Sequence, residues 1–498
     1  MARRKSKEQK QLTSEEILEQ QMARFQPLLD GKEWKRLLAE LELPLYQGVR
    51  ANPLKVDPQP AIQSLVARYD WTVEQVPFCP HGWWVSSSSE PISHPVEHRL
   101  GEYYIQDAAS MLPVELFDLG GLDAPLILDM AASPGGKTTH IVSRTGDHGL
   151  VVANDSSRDR LTALRLVMQS WGAMNLGLAH FPGERYGAWF PEVFDRVLLD
   201  APCSMQGLRA TDAHSLRAIS DNELLALSRR QVRLLTSALQ AVKVGGQVVY
   251  ATCTLSPEED EAVLDAVLRR FGGAVQIVDL SGRFSGAGYA LAAYGSQTFD
   301  PAVQGAARLW PHRFGTAGFF TALLTKTASI SGREESAPAR PWERTGLRWL
   351  TRPGEDDLIG RLQDRYGIDL EPVLSRQGLT LWQRNERIFA LPEAWLDQFE
   401  TFPFHSLGML VGEETPSGFA PSFEWVARFG RQARTGKVML PSACLDAWLR
   451  GEDIPGSFGS QDERGKVAVV VDEKGRLLGH ARLLSDRLKN LLPARLAY

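Results

Sequence analysis

Two cysteines stand where a nucleophile could work. Cys203 lies in Leu199-Asp200-Ala201-Pro202-Cys203-Ser204, and Cys253 in Tyr250-Ala251-Thr252-Cys253-Thr254. Each follows an apolar run, Val197-Leu198-Leu199 and Val248-Val249-Tyr250, that predicts a buried parallel strand. Functional loops of an open α/β sheet sit at the carboxyl ends of its strands, so both thiols are expected at one rim of one sheet. A thiolate there can form a covalent intermediate and split one difficult step into two easier ones. A cysteine at a strand end is ordinarily a small hydrophobe. Two of them after successive core strands, one preceded by Asp-Ala-Pro, favour thiolate chemistry.

A second group of residues reads as a ligand loop. Ile127-Leu128-Asp129-Met130-Ala131-Ala132-Ser133-Pro134-Gly135-Gly136-Lys137-Thr138 is a strand, a small-residue loop and a helix start. Small residues admit a ligand close to the backbone, and a helix N-terminus favours negative charge. G-x-G-x-x-G is absent, which counts against a dehydrogenase. Gly136-Lys137-Thr138 matches the end of a P-loop, but Ala131 stands where its first glycine belongs. Pro134 also removes an amide from a loop that should offer consecutive N–H groups to phosphates. Asp155 follows the next strand, where an acid can hold a ribose diol. A nucleoside cofactor therefore suits this loop better than a triphosphate.

The elements around these residues alternate. Strands are expected to end at Asp129, Asn154, His180, Asp200 and Thr252, with helices at Arg158 to Trp171 and Asn222 to Val242 and a last strand at Gly318 to Thr325. That alternation predicts a mostly parallel, doubly wound sheet over 101–326. Ser256-Pro257-Glu258-Glu259 reads as a helix start with Ser256 as N-cap, and a helix beginning there would favour a thiolate at Cys253. Residues 15–41 are helical in pattern, and 57–100 mix short strands with prolines. Phe78, Trp83 and Trp84 read as a small core in preference to a base-stacking platform. Thr327 to Arg344, rich in Ser, Gly, Glu, Ala and Pro, reads as a linker. Beyond it a hairpin is expected at Leu379 to Phe389 and a strand at Val467 to Val471. The chain closes on the basic, apolar Arg487 to Leu496.

Composition sets the bounds. The 498 residues suit about three domains. Only Cys79, Cys203, Cys253 and Cys444 occur, with no C-x-x-C pair, so neither a disulfide framework nor a zinc knuckle is indicated. His140, His148 and His180 share no ligand spacing, and no metal site is expected. Reduced thiols suit the cytoplasm, and no signal peptide or membrane-spanning run is visible. The net charge of −5 argues against indiscriminate nucleic-acid binding but not against a local basic face. Arg3, Arg4, Lys5, Lys7 and Lys10 read as a solvated tail.

Taken together, Asp129 to Thr138, Asp200-Ala201-Pro202-Cys203-Ser204 and Thr252-Cys253-Thr254-Leu255-Ser256-Pro257-Glu258-Glu259 resemble the Sun/Fmu-type RNA cytosine-C5 methyltransferases. Tyr104-Ile105-Gln106-Asp107, Arg308-Leu309-Trp310-Pro311-His312 and Arg50-Ala51-Asn52-Pro53-Leu54-Lys55 resemble further signatures of that family. The match runs in family order over about 20–326. The long C-terminal extension is similar to that of the bacterial RsmF-like branch, which acts on 16S rRNA.

The resemblance implies an α/β fold: a Rossmann-like S-adenosylmethionine-dependent methyltransferase domain at 101–326, preceded by a basic disordered tail at 1–14 and an α+β RNA-recognition region at 15–100. A linker at 327–344 and an α+β, PUA-like RNA-binding extension at 345–498 would follow. It implies Cys253 as the nucleophile that adds to carbon 6 of cytosine, Cys203 as the thiol assisting release, and Asp200 as the group stabilising the base. The target base must be unstacked. S-adenosyl-L-methionine would be held by Ala131, Ala132, Ser133, Pro134, Gly135, Gly136 and Lys137, with Asp155 on the ribose and Asp200 near the methionine end. Arg50, Asn52 and Lys55 would contact RNA, though ordinary surface charge is the open alternative. The implied partner is ribosomal RNA or the small ribosomal subunit, bound by a monomer away from membranes. A tRNA cytosine-C5 methyltransferase and a catalytically weakened rRNA-binding assembly factor are the alternatives. The chain departs from the family at Pro182, where an aspartate contacts the adenine amino group and Glu184 is the nearest substitute. It departs again after Cys203, at Met205, Gln206 and Ala210-Thr211-Asp212, where substrate choice would be set.

Overall fold

The computed structural model describes residues 22–209, 219–284 and 288–494. The basic run at 1–14, Ala210-Thr211-Asp212 and the closing Arg495-Leu496 lie outside the described residues.

The centre is a ten-stranded sheet among the described residues. Its strands are Leu126–Asp129 (β1), Leu150–Asn154 (β2), Leu176–Ala179 (β3), Phe194–Asp200 (β4), Val242–Thr252 (β5), Phe319–Lys326 (β6) and Ser406–Leu407 (β7), with short strands beyond β6. The order is β6-β5-β4-β1-β2-β3-β7, parallel from β5 to β3 and antiparallel at β6 and β7. The chain winds outward from β1 to β3 and then returns to β4 and β5, so β1 and β4 flank the topological switch point. Ligands bind in that crevice, outside the carboxyl ends of the strands. Every residue of β2 is buried, as a strand covered on both faces requires.

Helices Gly136–Arg144 (α1), Arg158–Trp171 (α2), Asp221–Ala241 (α3) and Glu261–Phe271 (α4) connect these strands. Ser157 accepts a hydrogen bond from Arg160 N at the start of α2, and Gly172 ends it at φ 74°. A Cβ on Gly172 would lie 2.9 Å from Arg428 Cβ, so this C-cap admits little else.

Four expectations need correcting. The helix after Cys253 begins at Glu261, with residues 257–260 forming a turn. The cause is local. Ser256 Oγ receives a hydrogen bond from Thr254 Oγ1, and the Glu259 carboxylate is taken by Ser204 and Gln231, so neither half of the expected cap is free. Second, Tyr103–Gln106 completes the N-terminal antiparallel sheet with Gln47–Ala51, Gly82–Ser87 and Thr72–Gln75, so that module runs past residue 100. Third, residues 327–341 are irregular but packed: Glu335 N bonds Ala188 O, and Ile330 is buried in the core. Fourth, the C-terminal extension holds two five-stranded sheets, and its strand β7 joins the methyltransferase sheet. Trp382, Trp395, Phe399, Phe402 and Phe404 share the core beneath β4 and β5, which couples the extension rigidly to the catalytic sheet. The Leu379–Arg384 and Arg387–Pro392 hairpin and the Val467–Asp472 strand form as expected. Phe78 and Trp83 are buried.

Candidate active site

β4 and β5 are adjacent and in parallel register, Asp200 opposite Ala251, so the loops after them leave the sheet side by side. Cys203 and Cys253 therefore converge, their sulfurs 3.1 Å apart. Both are half-buried. The hydrogen bond to Cys253 and burial hold the Cys203 thiol well above the ordinary thiol range. The paired thiols thus share one hydrogen bond at the rim of the sheet.

Lys137 reaches this pair from the first turn of α1. Its Nζ donates to Asp200 Oδ2 at 2.7 Å and lies over the Phe319 ring at 5.5 Å. Burial opposes its charge, but Asp200, Cys253 and Asp129 outweigh it and hold the ammonium above its usual pKa. The sequence places Lys137 on the cofactor loop alone; in the fold its charge also faces Cys253. The cation near that sulfur is a side chain, since the helix start expected beside it lies farther along the chain.

Beneath the thiols is a buried polar layer that spacing did not reveal. The Glu259 carboxylate accepts hydrogen bonds from Ser204 N and Gln231 Nε2, each at 2.9 Å, and from Ser204 Oγ. Gln231 also donates to Pro202 O at 2.9 Å. Tyr250 OH donates to Glu259 O at 2.5 Å, and Thr252 Oγ1 to Asp260 Oδ1 at 2.6 Å. Arg308, wholly buried, pairs with Glu261 at 2.5 Å and donates to Leu255 O at 2.6 Å. These bonds tie the loop of Cys203 to that of Cys253. Exchange of Glu259 for alanine leaves two buried N–H donors, of Ser204 and Gln231, without their acceptor, each costing about 1–3 kcal/mol. The expected outcome is a kcat lower by about 10²-fold with KM for RNA little changed. Glu259→Gln keeps an acceptor and restores part of that loss; equal defects in both variants would refute the positioning role.

The 131–137 loop folds over the crevice. Ala132 N donates to Asn154 O at 2.8 Å, and Ser133 N to Asp155 Oδ2 at 3.3 Å. Gly135 caps α1 at φ 118°, a conformation other residues rarely adopt. Asp155 is buried, also accepts from Ser157 N at 2.8 Å and pairs with Arg160 at 3.1 Å. Arg160 and Ser157 N both engage Oδ1, and Oδ2 receives only the 3.3 Å bond from Ser133 N. Asp129 Oδ2 accepts from Thr138 at 2.7 Å, whereas Oδ1 is buried without a partner, and burial pushes this carboxyl up to about 7. An orphaned carboxylate oxygen at the switch point, beside small-residue backbone and Asp155, fits an amino-acid nucleoside with an ammonium group. Glu184 is paired with Arg230 at 3.0 Å, so it substitutes at the adenine only by giving up that bond.

Of the residues expected to touch RNA, Arg50 and Asn52 are buried and Lys55 is half-buried. Arg50 is fully buried; it donates to Gly136 O at 2.9 Å and Thr139 Oγ1 at 2.6 Å and stacks over Trp171 at 5.0 Å. Burial lowers it to about 10. Asn52 is likewise buried, bonding Gly101 O and Trp171 O, and Lys55 Nζ donates to Leu100 O at 2.6 Å. These three side chains fasten the N-terminal sheet to α1 and α2, and so brace the 131–137 loop that leads into α1. Arg50→Met is expected to lower the melting temperature by several degrees, through about 2 kcal/mol of lost charged hydrogen bonding. The salt dependence of RNA binding should stay as it was; a shallower slope would restore the phosphate contact.

His140 joins Cys79 and Glu115, their ligating atoms all within 4.8 Å. The contacts describe a hydrogen-bonded seam. His140 Nε2 lies 2.9 Å from Glu115, Arg144 neutralises the same carboxylate at 2.7 Å, and burial raises the Cys79 thiol to about 12.

A family model described as 16S rRNA methyltransferase RsmB/F matches residues 119–325, and one described as the N-terminal domain of 16S rRNA methyltransferase RsmF matches 19–108. The ribosomal RNA small subunit methyltransferase F of Klebsiella pneumoniae is 34% identical over 92% of this chain and 92% of its own. That of Erwinia tasmaniensis is 32% identical over 95% and 94%. A solved methyltransferase homologue from Pyrococcus horikoshii aligns with TM-score 0.53 and 28% identity, covering 62% of this chain and 99% of its own.

Proposed function

Since the chain belongs to the 16S rRNA methyltransferase RsmB/F family, we propose that it methylates carbon 5 of a cytosine in 16S rRNA through a covalent bond between Cys253 and carbon 6 of the base. The observation that carries this reading is the pair of thiols 3.1 Å apart with the Lys137–Asp200 ion pair at the same rim.

Carbon 5 of cytosine is a weak nucleophile until a group adds at carbon 6. Cys253 Sγ makes that bond, with Lys137 supplying positive charge, which favours a thiolate. Asp200, at the end of β4, meets the base near N3 and its exocyclic amine, where charge develops during addition. S-adenosylmethionine supplies the electrophilic methyl group, and Asp129, Asp155 and the 131–137 backbone would hold it. Once Cys253 Sγ is bonded to carbon 6 it no longer takes the Cys203 hydrogen bond, the first cause that raises the Cys203 thiol. Cys203, then ionised, accepts the proton from carbon 5 of the methylated adduct; that electron pair forms the C5–C6 double bond, and the C6–S bond breaks to release Cys253 as its thiolate. Ordered loops beneath both thiols hold this geometry before substrate arrives.

Bisulfite sequencing of 16S rRNA from cells with and without this chain tests the reading. The expected result is a protected cytosine that is lost with the gene and restored by the wild-type protein. Protection confined to tRNA, or no change in any RNA, would overturn the substrate or the activity respectively.

A further inference from the structure

A cleft of about 320 Å³ opens where the C-terminal hairpin meets the edge of the catalytic sheet. One wall is α2, β3 and β7; the other is the Leu379–Arg384 and Arg387–Pro392 hairpin with the strap before it. Its sides carry half-buried aromatic faces, Trp342 and Phe389, and its rim carries Arg165, Arg340, Arg384 and Arg387. Only two carboxylates line it, and both are engaged: Glu400 accepts from Trp342 Nε1 at 3.1 Å, and Glu424 from Gln169 at 2.6 Å. Among the described residues Arg165, Arg340 and Arg384 have no carboxylate partner, and Arg387 meets Glu413 only at 3.9 Å. A chain of net charge −5 has thus gathered four exposed guanidinium groups around one apolar slot.

The hairpin adds an independent sign. Arg384 and Arg387 are direct cross-strand partners around the Asn385-Glu386 turn. Like charges opposite one another destabilise a strand pair; Glu413 lies 3.9 Å from Arg387, and Arg384 has no carboxylate partner among the described residues. Arg384 also lies over the Phe389 ring, 5.4 Å from its centroid, the stacking a planar guanidinium makes on an aromatic face. Aromatic walls with arginines at the mouth match one chemistry well: a flat heterocycle carrying a phosphate. Base-on-aromatic stacking accepts any base, and arginine fixes the phosphate.

We propose that this cleft is a second RNA-contact site, which takes one unpaired nucleotide of the substrate RNA between the catalytic domain and the extension. It rests on the RNA-methyltransferase reading above and deepens it. By strand order the cleft lies on β3, three strands from β4, roughly 14 Å across the sheet at about 4.8 Å per strand. A nucleotide held there anchors the RNA at a distance from the thiols. The shared core around Trp382, Trp395 and Phe402 keeps that distance fixed.

The test uses full-length protein and a 16S rRNA fragment that the wild type methylates. Arg340→Glu/Arg384→Glu and, separately, Phe389→Ala are measured for RNA affinity over a salt series and for steady-state methylation. The expected results are an affinity lower by about 10–100-fold for the charge variant and a salt slope shallower by about 1.5, as for two single-strand phosphates. KM for RNA should rise in parallel while kcat holds within about twofold. Melting temperature and S-adenosylhomocysteine binding report whether the variants fold. Unchanged affinity and KM in both variants overturn the proposal. So does a defect seen only with assembled small subunits and not with naked RNA, which would assign the cleft to a ribosomal protein. Absence of methylation by the wild type, by contrast, strikes the activity and not the cleft.

Discussion

Replacing Cys253 with alanine abolishes methyl transfer, by on the order of 10⁴-fold or more, and leaves no protein–RNA band on a denaturing gel. The size of the effect follows from the chemistry. Without addition at carbon 6, carbon 5 lacks the electron density to accept a methyl group, and no neighbour can substitute. Cys203 sits 3.1 Å away but holds its proton, through the hydrogen bond to Cys253 and through burial. Removing Cys253 also removes the first of those causes, yet burial still opposes ionisation of Cys203, and the Ser204 N–Glu259 bond keeps its loop in place. Cys253→Ser keeps the shape and tests the sulfur itself, because a hydroxyl is a far weaker nucleophile than a thiolate at neutral pH. Both variants should bind S-adenosylhomocysteine as the wild type does, since the 131–137 loop and Asp129 are untouched. Full turnover by the serine variant would falsify the role assigned to this residue.

The catalytic rim was legible in the sequence because its signals are local and strong. An apolar β-branched run followed by Asp-Ala-Pro-Cys, or by Thr-Cys-Thr, states both a buried strand and the residue at its end. Adjacency of the two loops then follows from a doubly wound order, as the parallel β4–β5 register bears out. The misreadings share a different cause: the partner of a polar side chain is set across the fold. Arg50, Asn52 and Lys55 look like a phosphate-binding run, yet Asn52 meets Trp171, which lies 119 residues later. Nothing in a stretch of charge tells whether it faces water or an inter-module seam. Ser256 and Glu259 satisfy every local rule for a helix cap, but Thr254, Ser204 and Gln231 engage their side chains instead. Strand β7 could not be anticipated either, because two residues in a Pro- and Phe-rich stretch carry no period; only the open edge of β3 recruits them.

Replacing Cys203 with alanine has the opposite signature to loss of Cys253. Methylation turnover falls by about 10²–10³-fold, and a covalent protein–RNA complex accumulates to near one per enzyme in the presence of S-adenosylmethionine. The adduct forms because Cys253, Lys137 and Asp200 are all intact, the last two still paired at 2.7 Å. It persists because the sulfur that takes the carbon 5 proton is gone, and a methyl side chain in its place cannot accept one, so the C6–S bond to Cys253 does not break. Release then depends on water, which the ordered Ser204–Glu259 layer below the thiols restricts. A trapped complex resistant to denaturant, digested to a peptide carrying the base on Cys253, is the expected observation. The double variant Cys203→Ala/Cys253→Ala should form none. Accumulation in the Cys253 variant and not in the Cys203 variant would instead exchange the two roles, and with them the meaning of the proton held on Cys203.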